Sequence, residues 1–234
     1  MPLFNLNGSK RNVHLSLPHD FTEESTLAYE KAAIKQGLLP VAGVDEAGRG
    51  PLAGPVVAAC VLLPTSCPEG VFRDSKKLSA RQREKLFQLL QQRGACLGLG
   101  AASPEEIAAL NIHHATLLAM QRAVDACALA NNDVAPACLL VDGLFTLPLD
   151  IPQQALVRGE SRSASIAAAS IAAKVSRDAY MMDLHNRFPQ YNFAKHKGYP
   201  TKEHLQAIRT HGPCPHHRSS FRGVREYVQQ QQAA

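Results

Sequence analysis

Ten consecutive residues, Val41-Ala42-Gly43-Val44-Asp45-Glu46-Ala47-Gly48-Arg49-Gly50, place two adjacent carboxylates between a short apolar run and a glycine-rich turn. The pattern predicts a strand that delivers acid groups at its C-terminal tip. Adjacent carboxylates repel unless a cation neutralises them, and a hard divalent ion such as Mg²⁺ takes oxygen ligands while keeping several waters. Two such ions about 4 Å apart can clamp the attacking water and the leaving oxygen of a phosphodiester during in-line displacement. Gly48 and Gly50 let backbone groups approach a ligand closely, and Arg49 adds a cation. Taken alone, the stretch fits better a strand running into a tight turn with Asp45 as turn or cap residue.

The same grammar recurs. Ala137 to Val141 is an apolar run ending in Asp142-Gly143, and Ala155-Leu156-Val157-Arg158 ends in Gly159-Glu160. Carboxylates at the tips of neighbouring strands in an open α/β sheet converge on one point, so Asp45, Glu46, Asp142 and Glu160 form a candidate catalytic set. Side chains adjacent in a strand point to opposite faces, so Asp45 and Glu46 share a site only where the strand ends or bends. Lys76 and Lys77, in Asp74-Ser75-Lys76-Lys77-Leu78-Ser79, suit backbone phosphates, although a solvated surface ahead of a helix is the preferred reading of that segment alone. His113 and His114 lack further ligands at metal spacing and read as packing or surface residues. Asp178 reads as an i,i+4 partner of Lys174.

The elements that must position these residues alternate between strand and helix. Residues 1–38 read as an extension holding a short helix over 22–36 with a capping box at Asp20-Phe21-Thr22-Glu23. Pro55 to Leu63 is a strand buried on both faces that pairs with the first. A helix over Arg81–Gln92 capped by Ser79, a strand over Cys96–Ala102 and one long helix from Ser103 to about Ala130 follow. Ser163 to Arg187 is a helix whose small residues suit close packing on a sheet. Residues 39–228 make the main domain and 229–234, with their glutamine run, a disordered tail.

The chain's 234 residues, 45% hydrophobic, suffice for one substantial core, and its net charge of +5 favours a polyanionic partner. Six scattered cysteines form no CxxC pair and no secretory segment is read, so they are expected to be reduced. No apolar run approaches the ~20 residues needed to span a bilayer, which predicts a soluble, cytoplasmic protein that takes no membrane partner.

Val44 to Pro51, Asp74 to Leu78, Leu110-Asn111-Ile112-His113, Val141-Asp142-Gly143, Ala168-Ala169-Ser170-Ile171 with Ala173-Lys174-Val175, and His196-Lys197-Gly198-Tyr199-Pro200-Thr201 resemble, in this order, the ribonuclease HII family. The resemblance covers roughly residues 40–225. It implies an α/β, ribonuclease H-like fold: a mixed five-stranded sheet flanked by helices, with a helical C-terminal part that helps hold substrate. It also implies Mg²⁺- or Mn²⁺-dependent hydrolysis of the RNA strand of RNA–DNA hybrids. Cleavage 5′ of a ribonucleotide embedded in duplex DNA, leaving 3′-hydroxyl and 5′-phosphate ends, by a monomer active in DNA repair and replication, is expected too.

Carried over by position, Asp45, Glu46 and Asp142 would be metal ligands, with Glu160 completing the catalytic set. Gly48, Arg49 and Gly50 would read the ribose 2′-hydroxyl through backbone groups, and Tyr199 would pack on the 3′ sugar. Ser75, Lys76, Lys77 and Lys174 would contact phosphates, with Arg187, Lys195 and Lys197 extending the basic track. The family usually has Asp where this chain has Glu160, a serine at Ala167, and a more basic Arg-Arg-Ser-Phe at Arg218-Ser219-Ser220-Phe221. The longer Glu160 would shift the second metal or favour Mn²⁺, and the other two changes would weaken substrate grip. Two other readings stay open: a DNA-cutting nuclease on the same fold, such as a junction resolvase or integrase-like enzyme, and a non-catalytic nucleic-acid-binding module.

Overall fold

A computed structural model describes residue 17 and residues 25–72 and 75–232. The capping box at Asp20–Glu23, Asp74 and the terminal Ala233 and Ala234 lie outside the described residues. Strands β1 (Val41–Ala47), β2 (Val56–Leu62), β3 (Cys96–Ala102), β4 (Cys138–Asp142) and β5 (Gln153–Leu156) form one sheet in the order β3-β2-β1-β4-β5. β1 pairs antiparallel with β2 and parallel with β4, so the sheet is mixed as expected. Helices α1 (Ala28–Lys35), α2 (Ala80–Gln92), α3 (Pro104–Ala130) and α4 (Ala164–Arg187) surround it. The C-terminal part adds α5 (Phe193–His196), α6 (Lys202–His211) and α7 (Arg225–Gln232). No helix among the described residues is long and apolar enough to cross a membrane.

Alternation along the strands sets the two layers. Ala42 and Val44 of β1, with Val56, Ala58 and Cys60 of β2, face α3, where Ile107, Ala115, Ala119 and Ala123 cover them. Ala59 and Val61 face the opposite way onto the alanine-rich first half of α4 and Leu90 of α2. Gly43 permits this contact. A Cβ there would lie 2.0 Å from the Ser165 carbonyl carbon, so the start of α4 can rest directly on the strand that carries Asp45 and Glu46.

Several expectations shift in detail. α2 starts where predicted, with the Ser79 hydroxyl accepting from Gln82 N and the Gln82 side chain accepting from Ser79 N. The single long helix is interrupted at Asn111 (φ 64°), whose Oδ1 accepts from the N–H groups of His113 and His114 at 2.9 and 3.2 Å and so caps a new helical segment. β5 ends at Leu156 rather than at Arg158. A left-handed Arg158 (φ 56°) turns the chain out of the sheet, placing Glu160 in a 3₁₀ turn over Gly159–Ser161. The tail is not wholly loose: α7 runs to Gln232 because Tyr227 and Val228 pack on the Leu52, Ile208 and Val224 cluster and glutamine tolerates helix.

The described part of residues 1–38 is also less separate than expected. Tyr29 and Ala33 of α1, with Leu17, are buried against Val41, Leu140, Leu156 and Ile166. Glu30, 6% exposed, accepts from Ser163 Oγ at 2.6 Å, Ser165 N at 3.0 Å and Ser165 Oγ at 2.7 Å. A carboxylate at the N-terminus of α4 satisfies its orphan donors and opposes the positive end of the helix dipole. Glu30→Ala is expected to lower unfolding free energy by ~2 kcal/mol in urea denaturation, the scale of a lost charge-assisted buried hydrogen bond. A loss under ~0.5 kcal/mol would show that this anchor is dispensable.

Candidate active site

The ladder between β1 and β4 ends at the pair Val44 and Val141, whereas β1 continues beside β2 to Ala47. Asp45 and Asp142 are thus the next residues of two parallel strands at the point where they part, the place where an open α/β sheet presents a crevice. Both line a cleft of about 290 Å³ together with Glu46, Gly48, Arg49, Gly50, Ser75, Lys76, Ser170, Lys174 and Tyr199. Glu46 shares the cleft although it follows Asp45 directly, because the parting of β1 from β4 opens room at both residues.

The acids are held by short contacts. Asp45 is 5% exposed, and its Oδ1 accepts from Glu46 N at 2.7 Å. Asp142 Oδ1 accepts from Gly159 N at 2.6 Å, a bond made possible by the turn at Arg158. Glu46 faces the Arg49 guanidinium at 3.4 Å. Burial pushes the Asp45 carboxyl well above its ordinary range, with the Glu46 and Asp142 charges adding to the effect. Burial likewise raises Glu46, opposed by Arg49, and raises Asp142, opposed by the Gly159 N–H. Three carboxyls that resist ionisation in one cleft suit a bound cation, since an ion would reverse each penalty.

Among the described residues no three acid, histidine or cysteine side chains converge closely enough to enclose an ion by themselves. The donor set fits a hard cation that fills the rest of its shell with water and phosphate oxygens, as Mg²⁺ commonly does. Glu160 does not line the cleft. It is 6% exposed beneath it, accepting from Ser170 Oγ at 3.1 Å, Ser75 Oγ at 3.2 Å and Lys76 Nζ at 2.5 Å.

Ser75 is accordingly buried and turned toward Glu160 and Ser170 rather than displayed as a surface phosphate contact. Lys76 reaches into the cleft from the 3₁₀ turn over Ser75–Lys77. Lys77 lies on the same turn but is not among the lining residues, and Lys174 pairs with Asp178 at 2.8 Å, the i,i+4 contact read from the sequence. Tyr199 is 43% exposed beside the glycine turn; a Cβ on Gly50 would lie 3.7 Å from its ring.

Sequence reasoning missed Ser170 as a site residue, although it lines the cleft with Asp45 and donates to Glu160. It also missed Arg83, which lines the cleft and donates to the Ser75 and Leu78 carbonyls. A buried histidine pair under Tyr199 was missed as well. His204 Nδ1 donates to Tyr199 O at 3.0 Å, so its Nε2 accepts from His217 Nε2, also at 3.0 Å, and His217 Nδ1 accepts from Cys214 N. Burial pulls His204 to about 4 and His217 to about 3, in keeping with these neutral tautomers.

A family model described as ribonuclease HII matches residues 42–224, a span that starts one residue into β1 and ends one residue before α7. The chain belongs to the ribonuclease HII family. It is 55% identical over 188 residues to the ribonuclease HII of Desulfotalea psychrophila, covering 80% of this chain and 83% of that protein. The ribonuclease HII of Geobacter metallireducens is 50% identical over 216 residues, covering 92% of this chain and 99% of that one. A crystal structure of ribonuclease H2 from Pyrococcus horikoshii superposes with a TM-score of 0.63 at 26% identity, covering 83% of this chain and 99% of that chain. Ribonuclease HII membership makes the reaction class that of a ribonuclease H, an endonuclease acting on RNA–DNA hybrids.

The raised acids carry a stability consequence. Because each carboxyl is harder to ionise folded than unfolded, the native state binds more protons, and charging the set at neutral pH costs stability. Asp45→Asn is expected to raise unfolding free energy in EDTA at pH 7 by about 1–2 kcal/mol and to shrink the stabilisation that added Mg²⁺ gives the wild type. A destabilised variant, or one that Mg²⁺ stabilises as before, would contradict the cost of charging this half-buried set.

Proposed function

We propose that the chain is a Mg²⁺- or Mn²⁺-dependent endonuclease that hydrolyses the RNA strand of RNA–DNA hybrids and cuts 5′ of ribonucleotides embedded in duplex DNA. It leaves 3′-hydroxyl and 5′-phosphate ends. One observation carries this reading: the three carboxylates, the Gly48-Arg49-Gly50 turn and Tyr199 line a single cleft. Chemistry at a phosphate and a test for the sugar beside it therefore share one cleft.

Asp45, Glu46 and Asp142 would hold the metal, which when bound activates water and offsets charge on the phosphoryl oxygens. Asp45 is fixed by the Glu46 N–H, and Asp142 by the Gly159 N–H, so both are oriented before substrate arrives. Gly48, Arg49 and Gly50 offer backbone groups to a 2′-hydroxyl, which DNA lacks. Tyr199 presents an exposed ring edge to the adjoining sugar, and Lys76 and Lys174 supply positive charge for flanking phosphates. On this reading Lys77, Arg187, Lys195 and Lys197 add only salt-dependent affinity. The chain would act as a monomer in the cytoplasm, removing ribonucleotides during DNA repair and replication.

Glu160 has a distinct part. Held by Ser75, Ser170 and Lys76, it would join the catalytic set when Lys76 turns to a phosphate and frees its carboxylate for the second ion.

A labelled duplex carrying one ribonucleotide, incubated with EDTA, Mg²⁺ or Mn²⁺, tests the reading. Cleavage is expected only with metal and only 5′ of the ribonucleotide, and Asp142→Asn is expected to lower the rate by at least ~10²-fold. Equal cutting of an all-DNA duplex would favour a general nuclease on this fold. Glu160→Asp should change the Mn²⁺-to-Mg²⁺ rate ratio by severalfold, because the shorter side chain alters reach to the second ion and to Lys76. An unchanged rate and metal preference would remove Glu160 from the catalytic set.

A further inference from the structure

Two arginines stand behind the glycine turn, and neither reaches solvent. Arg177 of α4 and Arg218, just ahead of α7, are each 0% exposed. Arg177 donates to the carbonyls of Pro55 at 3.1 Å, Lys197 at 3.1 Å and Ala53 at 3.2 Å. Arg218 donates to Gly48 O at 2.6 Å, Arg49 O at 2.9 Å and Gly54 O at 2.9 Å. A buried guanidinium is costly unless its donors are satisfied, and here backbone carbonyls serve where a carboxylate would be usual. Burial, with Arg177 nearby, lowers Arg218 to about 9, which leaves it cationic at neutral pH.

The peptide geometry gives these bonds a direction. In a trans peptide the C=O of one residue and the N–H of the next point opposite ways. Fixing Gly48 O and Arg49 O inward on Arg218 turns the N–H groups of Arg49 and Gly50 outward, on the cleft side. Gly48 itself is at φ +95°, and a Cβ there would lie 1.9 Å from Arg177 Nε, so the turn sits directly on the second guanidinium. Leu52 N also donates to Gly198 O at 2.8 Å, tying the end of the turn to the segment that carries Tyr199.

We propose that Arg218, with Arg177 beneath the turn, is a specificity-determining positioning residue: it orients the turn's N–H groups for the sugar hydroxyl without touching nucleic acid. This rests on the reading that the Gly48-Arg49-Gly50 turn recognises the 2′-hydroxyl. Arg218 is fully buried, so it cannot itself grip phosphate. Discrimination between RNA and DNA is thereby made to depend on a residue about 170 positions from the turn, in the C-terminal part.

The test compares binding to two labelled duplexes of one sequence, identical except for a single ribonucleotide, in EDTA so that no cutting occurs. Arg218→Lys keeps the charge but loses the planar fork. Its preference for the ribonucleotide duplex should fall about tenfold, while affinity for the all-DNA duplex stays within about twofold and the salt slope is unchanged. A phosphate-gripping role would instead weaken both duplexes together and flatten the slope. Phe221→Leu provides a second route should the lysine variant fail to fold. Arg218 Cζ lies 5.1 Å from the Phe221 ring centroid, so loosening that seat should narrow the preference about threefold. If the wild type does not distinguish the duplexes, the reading of the turn fails; if it does and the folded variants distinguish them equally well, the clamp is wrong.

Discussion

Desolvation of carboxyls gathered in one cleft is the constraint around which the molecule is built: Asp45 is buried, and Glu46 and Asp142 are half-buried beside it. Asp45 and Asp142 are brought together because β1 and β4 run parallel and part at Val44 and Val141. Left alone, the sheet would relax such charges toward solvent. Gly43 lets α4 press on β1 just before the acids, and Ser170 from that helix lines the same cleft as Asp45. The backbone N–H groups of Glu46 and Gly159 donate to Asp45 and Asp142 and offset part of the cost. The penalty for charging the site is the physical reason a cation would bind there.

Cations of the protein are arranged in two layers around this point. Lys76 lies at the cleft and pairs with Glu160. Arg177 and Arg218 lie beneath, wholly desolvated, and their hydrogen bonds go to carbonyls. The outer layer is open to solvent, whereas the inner layer is closed off from it. The neutral His204 and His217 pair extends the inner layer by holding the Tyr199 carbonyl without adding charge. A C-terminal part that looks peripheral in sequence thus supports the turn that follows β1.

Sequence alone determined the strands that carry Asp45 and Asp142, the capped starts of α2 and α3, the small-residue face of α4 and the order of motifs that marks the family. These are local properties: alternation, cap chemistry and the volume of a side chain are written residue by residue. The Gly159-Glu160 step was legible as an acid near a strand end. Its turn was not, because a left-handed Arg158 has no compositional signal. Tertiary structure decided that Asp45, Glu46 and Asp142 line one cleft and Glu160 does not, that Ser75 and Ser170 bracket Glu160, and that Asn111 breaks α3. It also decided that Arg218 is buried and bonded to the carbonyls of the glycine turn. Burial and hydrogen-bond partners arise only when segments about 170 residues apart meet, and no local pattern records that meeting.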